Sequence, residues 1–132
     1  MITPAKLAIA VVALAAVCLA QDGLTIDNKH NERVSTPEVA KIYSSACSVV
    51  QREFDVRHPL HPQVRLVLGA DESGVWISRR EIRLIKWDRY AFAQGVVWLA
   101  FEDLMSSQQR LTIAKRAVNW ADSTIEIEQL TK

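Results

Sequence analysis

The chain has 132 residues, 49% of them hydrophobic, with 16 Lys and Arg against 15 Asp and Glu. That is the length of one domain, with enough apolar side chains for a core of its own. A charge balance this close to zero excludes the broad basic field on which non-specific nucleic-acid binding and membrane-surface attraction depend.

Residues 1–20 have the layout of a secretory signal peptide. Lys6 supplies a positive charge, residues 7–17 form a short apolar core, and Cys18-Leu19-Ala20 places small side chains at the −3 and −1 positions of a cleavage site. The apolar and small run from 7 to 20 falls short of the roughly 18–20 residues a membrane-spanning helix needs. The expected location is therefore secreted or periplasmic, with no stable membrane insertion after cleavage. A retained N-terminal anchor and a lipid-modified Cys18 are the alternatives, and Val17 suits the second poorly. With the leader gone, Cys47 is the one remaining thiol. It reads as a small buried hydrophobe, or as a group that pairs between chains.

Residues 21–35 are polar and without periodicity, a flexible lead-in to a single α+β domain over 36–132. Thr36-Pro37-Glu38 marks a helix start, with Thr36 as cap, Pro37 in the first turn and Glu38 at the positive end of the dipole. Val39, Ile42, Tyr43, Ala46, Val49, Val50 and Phe54 then recur at helical spacing. His58-Pro59-Leu60-His61-Pro62 ends this N-terminal helix, because each proline disfavours helix at the residue before it. Val64, Leu66 and Leu68 predict a strand over 64–69, and two further strands are predicted over 75–78 and 81–87. Three strands in succession point to an antiparallel or mixed sheet rather than to βαβ units.

Asp88 caps a helix predicted over 89–105, apolar around most of its circumference and therefore a buried central element. Ser106 or Ser107 starts a C-terminal helix with Leu111, Ala114, Ala117, Val118 and Ala121 in a stripe. Ile125 and Ile127 alternate with Glu126 and Glu128, which predicts a short terminal strand or an extended tail.

The order helix, three strands, buried helix, helix over residues 36–123 resembles the minimal core of the zincin metallopeptidases. In that family the buried helix carries H-E-x-x-H, two imidazoles for zinc and a glutamate as general base. Here the helix reads Phe92-Ala93-Gln94-Gly95-Val96-Val97-Trp98-Leu99-Ala100-Phe101-Glu102, without histidine. No catalytic or metal-ligating residue carries over, and no cofactor is expected. What the resemblance implies is a metal-free, zincin-like shell.

Gln94, Trp98 and Glu102, at i, i+4 and i+8, form one stripe where a metal-binding face would lie. It is either a ligand-binding face or the partly exposed side of a buried helix. Arg79, Arg80, Arg83, Lys86 and Arg89 concentrate positive charge, read as edge-strand protection or as an anion patch containing Arg79 and Arg83. Trp76 and Trp98 are the tryptophans assigned to a ligand, Trp87 and Trp120 those assigned to packing. His58 and His61 stand three apart on a proline-stiffened loop and make half a metal site at most. No G-x-S-x-G, Walker or G-x-G-x-x-G motif is present. The reading is an exported, non-catalytic binding or structural module for a protein or small-molecule ligand. The alternative is a small diverged extracytoplasmic hydrolase or metallopeptidase using Glu102, His58 and His61.

Overall fold

The computed structural model describes residues 17–21, 23–57, 59–101 and 106–130. Five strands form one mixed sheet in the order β1-β2-β3-β5-β4, where β1 is Val17–Gln21, β2 Leu24–Asn28, β3 Val64–Leu68, β4 Gly74–Trp76 and β5 Glu81–Leu84. Among the described residues, three helices complete the α+β fold: α1 Thr36–Glu53, α2 Arg89–Ala100 and α3 Ser107–Leu130. Among the described residues, no helix is long and apolar enough to cross a membrane.

The sheet is larger than the three strands expected. Residues 24–28, assigned to a flexible lead-in, form β2 between β1 and β3, with Leu24 and Ile26 in the core. Their period-2 pattern is short and framed by polar residues, so it carries little weight until β3 lies alongside. β2 and β3 are parallel, and α1 connects them in one βαβ unit. β3 and β5 are also parallel, while β1 and β4 run antiparallel at the two edges. The expected mixed sheet is found, but it does contain a βαβ crossover.

Local sequence accounts for the helix starts. α1 begins one residue earlier than Thr36 as cap would require, because the Ser35 hydroxyl accepts from the Glu38 N–H at 3.3 Å. Asp88 caps α2 by accepting from the N–H groups of Tyr90 and Ala91. Ser106 and Gln109 form a reciprocal pair at the start of α3, each side chain accepting from the other's backbone N–H. α3 continues through Ile125 and Ile127, where a strand or tail was expected. No glycine or proline follows Ser106, so nothing stops a helix already nucleated.

All three helices bury side chains in one core: α1 and α2 pack against the sheet, and α3 packs on α1 and α2. α2 is the element buried most nearly all round: Phe92, Ala93, Val96 and Val97 are fully inaccessible. Leu66, Leu68, Ile82 and Leu84 meet the helices, and Thr25, Arg65, Glu81 and Arg83 alternate onto the opposite face. Arg89 of α2 pairs with Asp122 of α3 and lies 3.9 Å from Glu38 of α1, tying the three helices together. Trp87 packs beside Phe92 at the edge of this core, as expected. Trp120 does not; it is exposed on α3 with Arg52 of α1 over its ring.

Cys47 lies in the core on α1, and burial pushes its thiol from an ordinary value of 9.0 up to about 12, opposed by a hydrogen bond with Tyr43. Folding therefore favours the neutral thiol. The unfolded chain ionises first, so the contribution of Cys47 to stability is constant below about pH 9 and falls between 9 and 12, at up to about 1.4 kcal/mol per pH unit. Cys47→Ala is expected to lack this component in alkaline unfolding titrations. A thiol reagent should label native protein only at the rate of opening.

Candidate functional site

A cleft of about 540 Å³ opens between the sheet, the length of α2 from Asp88 to Trp98, and the N-terminal part of α3. Its size lies within the range typical of ligand sites. Ile82 and Leu84 form the floor, Ser73, Gly74 and Val75 the wall on the β4 side, and Asp88, Tyr90, Gln94 and Trp98 the α2 wall. Ser107 and Arg110 close the end beside Trp98.

Helical spacing places Gln94 and Trp98 one turn apart, both half-buried and both facing this space. The Arg110 guanidinium lies 4.1 Å above the Trp98 ring and donates from Nη2 to the Ser107 hydroxyl at 3.1 Å. The cleft thus offers an aromatic face with a cation on it, an amide, and several hydroxyls. β4 is the last strand of the sheet, so its outer edge directs backbone N–H and C=O groups away from β5.

The residues here do not suit the zinc chemistry of the zincin motif. Trp98 offers an indole N–H that donates and has no lone pair for a metal. Between it and Gln94, Gly95 stands where a glutamate base would be, and a Cβ there would lie 2.6 Å from Ile82. Among the described residues, no three His, Cys, Asp or Glu side chains gather as a metal site. His61 does not line the cleft. Glu102 and His58 lie outside the described residues.

The other candidates separate. Trp76 sits on the sheet face opposite the helices, paired in register with Glu81, and Arg83 lies 4.1 Å over its ring. Arg83 is held by Glu81 at 2.6 Å, which makes this group a local charge-and-ring cluster away from the cleft. Arg79 is exposed beside a separate depression near Gly23 and Arg65. Arg80 has left-handed backbone (φ 53°) and donates to the carbonyls of Gln63 and Leu99, pinning the end of α2 to the strands. Within the basic run, Arg79 and Arg80 border that depression, Arg83 lies beside Trp76 on the far face of the sheet and Arg89 lies among the helices. Sequence reasoning missed Arg110 and Tyr90. Arg110 reaches the cleft only because α3 doubles back beside α2, and no local pattern records that packing.

Compared with known proteins, the chain matches no family profile, no curated protein and no solved structure.

Proposed function

We propose that the chain is an exported, non-catalytic binding module whose zincin-like core receives an extended polypeptide segment in the cleft. The observation that carries this reading is the position of β4: an edge strand forms one wall, and Gln94 and Trp98 stand on the other. An extended segment entering there meets backbone donors and acceptors on one side and an aromatic and amide surface on the other. The resemblance to zincins supports it as a likeness of scaffold, with binding retained and metal chemistry replaced.

The test is peptide display against the immobilised full chain. Enriched peptides should lose at least tenfold in affinity when alternate backbone nitrogens are methylated, because strand addition depends on main-chain hydrogen bonds. Enrichment of sequences indifferent to methylation would sink the strand-addition reading.

Export is proposed from the leader-like residues 1–20. Cleavage after Ala20 would remove most of β1, leaving β2 as an edge strand. The intact mass of protein recovered outside the cytoplasm should correspond to residues 21–132. A mass that includes residues 1–20 would show that β1 is kept and the leader is not processed.

A further inference from the structure

We propose that the exported chain is a two-fold symmetric dimer in which β2 pairs antiparallel with β2 of a second copy. This rests on the export reading, since cleavage after Ala20 removes residues 17–20 of β1. Only Gln21 survives, opposite Leu24, and one residue does not hold a strand. The surface is separate from the cleft, which opens beside β4 at the other edge of the sheet.

Hydrogen bonds to β3 show which way each backbone group of β2 points. The Val64 N–H donates to the Gly23 carbonyl at 2.7 Å, and the Lys29 N–H donates to the Leu68 carbonyl at 3.1 Å. Strand alternation then turns Thr25 and Asp27 toward β3 as well. The N–H and C=O groups of Leu24, Ile26 and Asn28 turn the other way, toward β1. Loss of β1 uncovers those groups together with the flanks of Leu24 and Ile26, which belong to the core. α1 also packs on β1, so its side above this edge is uncovered with them.

A second copy matches this edge residue for residue. With the two-fold axis at Ile26, each Ile26 exchanges both backbone bonds with its counterpart, and Leu24 does the same with Asn28 of the second copy. The axis stands perpendicular to the sheet, so the helices of both copies stay on one face and the two α1 helices approach the seam. Leu24, Ile26 and Asn28 share the helix-side face, so the buried faces align without a shift of register. On the far face, Thr25 comes opposite Asp27, a hydroxyl donor beside a carboxylate that Arg65 already holds at 2.8 Å. β3 holds β2 extended before the copies meet, so docking orders no free chain. That saving favours a second copy over a flexible peptide.

Sedimentation velocity tests this on protein recovered outside the cytoplasm, with reductant present so that Cys47 takes no part. Material whose intact mass corresponds to residues 21–132 should sediment as a dimer. In that dimer the amides of Leu24, Ile26 and Asn28 should exchange slowly with solvent. Thr25→Asp should weaken the dimer about tenfold, because it sets a carboxylate opposite Asp27 at two symmetry-related places. Within its own copy the new carboxylate lies beside Arg65, so folding is kept, and thermal melting checks this. Thr25→Asn, of the same shape without the charge, should weaken the dimer far less. A monomer, fast exchange of those amides in the dimer, or equal loss in the two variants overturns the β2 pairing and leaves export in place. A mass that includes residues 1–20 sinks the export reading, and the dimer with it.

Discussion

Gly95→Glu is expected to destabilise the protein by about 4 kcal/mol, from overpacking together with a carboxylate forced against an apolar floor. Gly95 is where α2 rests directly on β5. A Cβ placed there would stand 2.6 Å from Ile82 Cδ1 and 2.8 Å from its Cγ1, and Ile82 is itself locked in the core at 1% exposure. Gly95→Ala isolates the first methyl group: its steric cost is offset in part by the roughly 1 kcal/mol of helix propensity that alanine gains over glycine. Adding Ile82→Ala to Gly95→Ala should recover much of the packing strain, at the cost of a cavity elsewhere on the floor. Urea unfolding of the four proteins measures each step. A Gly95→Glu protein melting within a few degrees of its parent would show that α2 can lift off the sheet. The same contact explains why introducing H-E-x-x-H over residues 94–98 is expected to yield an unstable chain rather than a zinc site.

Trp98→Ala should have its largest effect on binding. The ring is half-buried, faces the cleft and lies outside the core cluster. It carries the Arg110 guanidinium at 4.1 Å, so its loss also removes that cation–π contact from the end of the cleft. Removing a central aromatic anchor typically weakens an interface by about 2 kcal/mol or more, roughly 30-fold in affinity. Stability should change by about 1 kcal/mol or less, since the cost of an exposed cation–π contact is small. Trp76→Ala provides the matched control. Its ring lies on the opposite face of the sheet with Arg83 and Glu81, so capture of a displayed peptide should change far less than in Trp98→Ala. If Trp98→Ala instead costs several kcal/mol of stability, as truncation of a core aromatic does, the ring is a packing element. The groove then loses its anchor.

The parts of the fold written in local pattern were legible. Val39, Ile42, Tyr43, Ala46, Val49 and Val50 do face the core along α1, and Val64, Leu66 and Leu68 do so along β3. The proline-rich stretch after α1, the cap at Asp88 and the burial of α2 follow from residue chemistry within a few positions. Two strands were missed for different reasons. β1 lies in residues whose composition reads as an export leader, and β2 is too short for its alternation to stand out from polar surroundings. The terminal strand was expected from Ile125 and Ile127 because two apolar residues at spacing two fit a strand pattern, whereas α3 simply runs on.

The candidate site divides along the same line. Gln94 and Trp98 were visible as a stripe because helical spacing alone puts residues four apart on one face. Trp76, Arg79 and Arg83 could not be placed, since strand alternation assigns a face but does not say which face the helices cover. Composition and periodicity by themselves determined the α+β class, an apolar central helix and the sharing of one helix face by Gln94 and Trp98. These depend on short-range geometry that each residue carries with it. Only the tertiary structure decided that β2 joins the sheet beside β3, that Trp76 and Trp98 lie on opposite sides of it, and that Arg110 stands over Trp98. Those relations arise from contacts between residues far apart in sequence, fixed by how α1 and α2 pack on the sheet and α3 packs on both of them.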